Sequence, residues 1–453
     1  MKNKFDLIVI GAGSAGTSVA RSCAAEGWKV GIVEELKYGG TCMLRGCDPK
    51  KMFLAVTEGI DAIERMSDKG LTTIEPTVNW KKMSEFKNSF IEPMPERVEN
   101  SLKRLGIEEF HGKARFNDDG SLQVGDDVLE SEYFHIATGA SPIQLGIEGE
   151  EHVKTSTDFL DLNNTPERIV FIGGGFISFE FAQISKRGGA DQVTILQRGE
   201  KVLNQFDADL VDMQVEKSRE MGIDIQLNSV IQKIEKKEHE YTITYNSPNG
   251  LSHVVCDLII HGAGRGANIQ DLNLEAINVA TTRKGVVVNE FQRSISNPKV
   301  FSAGDAADTS KPNLTPVAGI EAKIVAKNLI AKEDKYKTTY PAIPSVVYTL
   351  PPIAKVGLTE KDVEQRKDEV KVKFKKTHQW YSSVRVNEKY SAFKTIVDKK
   401  TNKILGAHLL GPGAEEQVNV ITMAINQGLT VEELKAIVFA YPSYSSDIKY
   451  MFD

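Results

Sequence analysis

The chain has 453 residues, too many for a single hydrophobic core and enough for roughly two to four domains. Its 41% hydrophobic and 26% charged residues are those of an ordinary globular protein, and a net charge of −6 excludes a basic surface made for nucleic acid or an anionic membrane. No apolar run approaches the roughly 18 residues needed to cross a bilayer, so no membrane partner is expected.

The first segment, MKNKFDLIVIGAG, reaches an apolar strand within five residues, which leaves no room for a signal peptide and predicts a cytoplasmic chain. FDLIVIGAGSAGTSVARSCAAEGWKVGIVEE continues as strand, glycine turn, amphipathic helix and a second strand ending in Glu34. Gly11, Gly13 and Gly16 let the turn close, the backbone approach a pyrophosphate and the helix pack on the sheet; Glu34, about twenty residues on, can bind a ribose hydroxyl pair.

Next comes GGTCMLRGCDPKK, residues 39 to 51, which reads as a loop rich in glycine and cation holding Cys42 and Cys47. In a reducing compartment, four cysteines with two close together point to catalysis or metal binding before a structural framework. A thiolate is the nucleophile, and Arg45, Lys50 and Lys51 are cations that lower a thiol pKa from about 8.5. Zinc would need two further ligands at suitable spacing, and the sequence lacks them, so no metal site is expected. A structural disulfide, or two unrelated core cysteines, is the bland alternative. Cys23 and Cys256 read as small buried hydrophobes in a helix and a strand.

RIVFIGGGFISFEFAQISKRGGADQVTILQRGEKVL repeats the strand, turn, helix and strand plan with Gly173, Gly175 and, third, Ser178, which is small enough for close helix packing. Gln197 and Arg198 stand where a carboxylate normally holds an adenosine ribose. An arginine without the acid favours the 2′-phosphate of NADP, and a solvated surface arginine is the alternative. Two nucleotide folds in one chain are the layout of a hydride relay, one for FAD and one for a pyridine nucleotide. EKKEHEYTITYNSPNG, residues 235 to 250, reads as strand and turn on the second fold. PKVFSAGDAAD, residues 298 to 308, runs a strand into Gly304 and Asp305, where a carboxylate can bond the ribityl chain, and the helix opened by LTPVAGIEA can point its N-terminus at the flavin ring. YFHIATGASP, residues 133 to 142, reads as the chain returning to the flavin fold. KEDKYKTTYPAIPS is a polar link, YSAFKTIVDKKTNKILGAHLLGPGAEE alternates strands across a turn, and a helix is predicted from about Glu415 to Gln427.

Taken in order, GAGSAG, GGTCMLRGCDPKK, ATGAS, GGGFISFE, GAGRGAN, FSAGDAAD, LTPVAGIEA and SVVYTLPPIAKVGLTE resemble the class I pyridine nucleotide-disulfide oxidoreductases, the family of glutathione reductase, dihydrolipoamide dehydrogenase and mercuric reductase. The resemblance implies an α/β protein with two Rossmann-like domains for FAD and NAD(P) and a C-terminal α+β dimerisation domain. The boundaries expected are 1–140 for FAD, 141–267 for NAD(P), 268–340 for a central domain completing the FAD site, and 341–453 for the interface of a homodimer. It makes Cys47 the charge-transfer thiol against the flavin and Cys42 the interchange thiol. Lys50 and Glu180 match an ion pair beneath flavin and nicotinamide, Phe176 the aromatic gate of the nicotinamide pocket, and Arg265 a nucleotide contact. Ser14, Thr41, Thr138 and Gly139 join the FAD contacts, and Ile177 the nucleotide contacts. The expected function is transfer of electrons from NAD(P)H through FAD and the cysteine pair to a small disulfide.

The C-terminus, FAYPSYSSDIKYMFD, departs from that pattern. Tyr441 stands where glutathione reductase and dihydrolipoamide dehydrogenase carry the catalytic His, Pro442 is kept, and Ser446 with Asp447 replaces the acidic pair. A phenol with pKa near 10 is a poor base at pH 7 but a usable hydrogen-bond donor, so dithiol chemistry is expected to be slow, since general acid and base catalysis gives about 10² to 10⁴ in rate. Tyr441 or, second, Tyr444 can donate. The alternatives are a quinone or metal ion as acceptor, or a flavin redox sensor; the vicinal C-terminal cysteines that mercuric reductase uses are missing. For glutathione, Arg21 matches a carboxylate-binding position, Lys323 half matches, and Val98 replaces an expected tyrosine; Arg21 also reads as a solvated helix charge. For NADPH, Arg198 matches and Asn204 does not, so NADPH is expected and NADH is the alternative. Arg45 either stabilises thiolate or pairs with Asp48 at the surface.

Overall fold

The computed structural model describes residues 3–72 and 76–453. The chain forms two compact units, one of Met1–Met52, Glu85–Gln144 and Gly264–Tyr340, the other of Phe53–Ser84, Leu145–Ala263 and Pro341–Asp453.

The first unit is built on a sheet in the order Glu108–His111, Val30–Glu34, Asn3–Ile10, Asp127–Ile136, Leu122–Val124, Ala114–Phe116, with Val300–Ser302 also paired to Asp127–Ile136. The pairings of Asn3–Ile10 with both neighbours are parallel, as is that of Val300–Ser302. A strand covered on both faces reads as a continuous apolar run. Here the pleat sends Leu7 and Val9 into one cluster and Ile8 and Ile10 into the other. Helix Ser14–Ala25 lays Val19, Ala20 and Cys23 against Leu7 and Val9, beside Val325 and Leu329 of helix Thr315–Ala331. Burial pushes the Cys23 thiol up to about 12, which leaves it inert at neutral pH.

The second unit holds a parallel sheet in the order Ile223–Gln226, Gln192–Leu196, Arg168–Ile172, Leu258–His261. A three-stranded antiparallel sheet, Val230–Lys237, Glu240–Ser247 and Gly250–Cys256, carries the second isolated cysteine at its end, also buried. The C-terminal part is a five-stranded antiparallel sheet in the order Ser345–Val347, Ile353–Gly357, Ile404–Leu410, Ala392–Asp398, Val370–Lys376. Helix Ala414–Asn426 covers it, with Val418 and Ile421 in one cluster with Ala354, Val356 and Leu409. No helix among the described residues is long and apolar enough to cross a membrane.

Candidate active site

The cysteine segment is helical, which corrects the loop expected from its glycines. Gly40–Arg45 and Cys47–Met66 are two helices broken at Gly46. A Cβ at Gly46 would lie 2.9 Å from the Thr41 carbonyl oxygen, so only glycine makes this break without a shift. Pro49 sits in the first turn of the second helix, where its missing N–H costs no hydrogen bond. The break turns Cys47 onto Cys42. The Cys42 sulfur accepts from the Cys47 thiol, from the Cys47 backbone N–H and from the Thr315 hydroxyl, the last at 3.1 Å. The bond from the Cys47 thiol is the main reason the Cys42 thiol falls to about 6; Thr315 helps, while burial and Asp48 oppose. The same bond, with burial, pushes the Cys47 thiol up, and Lys50 pulls it back. One proton is thus held between two sulfurs, with the charge favoured on Cys42. The charges that act on Arg45 and its neighbours are not those expected: Glu34 is the carboxylate that acts on Arg45, and Arg45 in turn acts on Arg265.

Around the first glycine turn, Gly11 has φ +104°, and a Cβ there would meet the Ala137 carbonyl oxygen at 2.3 Å. Glu34 closes the turn from the strand end, Oε2 accepting the Ala12 N–H at 2.9 Å and Oε1 the Leu36 N–H at 2.9 Å. Gly13 caps helix Ser14–Ala25 without a side-chain acceptor, leaving backbone N–H groups for an anion. The Thr138 hydroxyl is buried with no partner among the described residues, next to Gly139 at φ +70°. Burial pushes the Asp305 carboxyl up, and Arg265, which donates to the Ala140 carbonyl, acts against that. An unsatisfied hydroxyl, an uncapped helix end and a half-buried carboxylate fit a polyhydroxylated, phosphate-bearing group such as FAD. Thr41 is exposed at the start of the cysteine helix.

Around the second turn, Gly173 has φ +99°, and Gly175 caps helix Phe176–Arg187, again without a side-chain acceptor. Ser178 is fully buried, and the room for it comes from Gly262, where a Cβ would lie 2.0 Å from the Ser178 hydroxyl. Gln197 does for this turn what Glu34 does for the first: Oε1 accepts the Gly174 N–H at 2.8 Å, and Nε2 donates to the Lys201 carbonyl at 2.9 Å. Arg198 and Asn204 are exposed, Phe176 is half exposed, and Ile177 packs on the core. Glu180 is buried and accepts the Tyr348 N–H at 2.7 Å.

At the C-terminus Tyr441 is 79% exposed and borders a cleft of about 360 Å³ with Trp380, Tyr381 and Arg385. Asp447 accepts from the Ser382 hydroxyl, and burial pushes its carboxyl up. Arg21 donates to Ser101 at 2.7 Å, and Lys323 is exposed. Sequence reasoning missed Thr315, Glu321 and Ser382. Thr315 and Glu321 lie inside a motif already singled out, but nothing local shows what they touch.

Residues 5–322 match the family described as pyridine nucleotide-disulphide oxidoreductase, and residues 343–452 match its dimerisation domain. The chain is 31% identical to the mercuric reductase of Staphylococcus aureus over 98% of its own length and 81% of that protein's. It is 29% identical to a glutathione reductase of Nostoc sp., covering 98% of each. Among solved structures it is similar to the HOCl-induced flavoprotein disulfide reductase RclA from Escherichia coli, at 26% identity, a TM-score of 0.87 and 99% of both chains. The Cu(II) complex of RclA superposes equally well, with a TM-score of 0.87 at 26% identity over 98% of this chain and 99% of that one.

Proposed function

The chain belongs to the pyridine nucleotide-disulphide oxidoreductases, FAD-dependent enzymes with a redox-active cysteine pair, and on that premise we propose that it takes electrons from NADPH and delivers them through Cys42 and Cys47 to a small disulfide. FAD, when bound, supplies the change from hydride to electron-pair transfer. The observation that carries the reading is the Cys42 sulfur, which three donors hold as a thiolate near neutral pH. Cys42 attacks one sulfur of the disulfide, forming a mixed disulfide and releasing the first thiolate. Cys47 then attacks Cys42, forming the internal disulfide and releasing the second. Two electrons from NADPH restore the pair, so one disulfide, one NADPH and one proton give two thiols and NADP⁺. The fit of FAD to Gly11, Gly13, Glu34, Thr138 and Asp305, and of the nicotinamide nucleotide to Gly173, Gly175, Phe176 and Arg198, is part of this proposal. NADPH over NADH is supported by the neutral Gln197 beside exposed Arg198. The dimerisation domain supports a homodimer.

A second reading has one observation in its favour. Among the described residues Tyr441 has no carboxylate partner, and Asp447 accepts from Ser382. An acceptor that needs no proton from this segment, a metal ion or a quinone, suits that arrangement, and both mercuric reductase and RclA with its Cu(II) complex stand among the relatives.

The deciding experiment is an anaerobic titration of the flavoprotein with NADPH, and separately NADH, followed by a panel of disulfides, quinones, Cu(II) and mercuric ion. A long-wavelength thiolate-to-flavin band that a disulfide discharges, and that Cys42→Ser protein cannot discharge, is the expected result. Reoxidation by metal or quinone while every disulfide stays inert would replace the first reading by the second.

A further inference from the structure

Among the buried carboxylates that the electron route does not use is that of Glu321. Glu321, in helix Thr315–Ala331, is 1% exposed. Its Oε2 accepts the Gly304 N–H at 2.7 Å, its Oε1 accepts the Tyr340 hydroxyl at 2.7 Å, and the Thr309 hydroxyl is a further donor. Tyr340 is steadied by the Gln292 amide, which also holds Thr338. A buried carboxylate costs free energy unless donors surround it, and this one has three donors, two from the segment 304–309 and one from Tyr340.

Gly304 is the first residue of the turn that presents Asp305, and it is held at φ +69°. The turn is also tight against the helix, since a Cβ at Gly304 would come within 3.1 Å of Ala318 Cβ. Glu321 therefore grips the turn from behind, through the one amide adjacent to Asp305. We infer that Glu321 is a positioning residue for FAD, fixing the Gly304 amide so that the Asp305 carboxylate is held toward the ribityl chain. The inference rests on the proposal above that Asp305 contacts FAD.

The test is the FAD dissociation constant of apoprotein, read by flavin fluorescence and by the circular dichroism of bound flavin. Asp305→Ala and Glu321→Ala are each expected to weaken FAD about tenfold, a lost hydrogen bond's worth. Because Glu321 acts through Asp305, Glu321→Ala added to Asp305→Ala is expected to cost less than twofold more. Glu321→Gln, which keeps an acceptor for the Gly304 amide, is expected to recover most of the affinity. Tyr340→Phe, which loosens Glu321 from the far side, is expected to weaken FAD about threefold in the native background only, and carries the test if Glu321→Ala does not fold. Equal losses in both backgrounds, or no loss from Glu321→Ala or Tyr340→Phe, would overturn the inference. Unchanged affinity in Asp305→Ala would instead overturn the Asp305 contact itself.

Discussion

Thr315 stands 273 positions from Cys42 and gives its sulfur one hydroxyl proton at 3.1 Å. The bond is open to water, so its loss in Thr315→Val should cost the thiolate about 1 kcal/mol, or somewhat under one pH unit. The pH dependence of iodoacetamide alkylation in the reduced protein checks this. The midpoint, expected below the ordinary thiol range in the native protein, should rise in the variant, and a midpoint that stays put would leave Cys47 as the only donor that matters. At this scale the redox pair was legible, because thiol reactivity needs only two cysteines at short spacing among cations. The identity of the cation was less so: Lys50 pulls the Cys47 thiol down, whereas Arg45 is set first by burial and then by the charge of Glu34. Charges sort themselves by tertiary distance, which sequence proximity approximates poorly.

The two nucleotide turns share a device that their sequences hide. In each, the residue at the end of the second strand hydrogen-bonds the middle of the glycine turn, Glu34 to Ala12 and Gln197 to Gly174. Gln197 keeps that closure while removing a negative charge beside Arg198. In Gln197→Glu the acceptor for Gly174 survives, and the new charge should repel a 2′-phosphate. The ratio of kcat/KM for NADPH to that for NADH is expected to fall about tenfold. An unmoved ratio would mean that position 197 faces its own turn alone. The strands and helices of both folds were legible from glycine spacing and apolar runs. Gly40–Arg45 was not, since glycine is a weak helix former and a six-residue helix owes its existence to packing. Nor could the sequence show that the crowding avoided by glycine at position 16 is relieved, at Ser178, by Gly262 on another strand's end.

Across the whole molecule, the order of the motifs made the family and its α/β architecture readable, because each motif is a backbone requirement. The side-chain ties between distant segments were not readable. His135 is one such case, fully buried in the strand Asp127–Ile136 with its pKa pushed down to about 3 by burial. The unfolded chain takes up a proton there below about 6.5 and the folded chain does not, so this contribution is complete above 6.5 and declines as pH falls toward 3. Between pH 7 and 5 it should remove about 2 kcal/mol of stability. Urea unfolding of His135→Leu is expected to show a shallower decline over that interval than the native protein, and parallel declines would place the acid sensitivity elsewhere.

Glu34 spends both of its oxygens on the chain's own amides, one at Ala12 and one at Leu36. The turn it closes is thus held by the chain's own hydrogen bonds. Cofactor loading then resembles a casting dropped into a finished mould, with little left to order afterwards. Uptake by the folded apoprotein is therefore expected to climb in proportion to nucleotide concentration in stopped-flow fluorescence, and a rate that levels off would reveal a slow closing step.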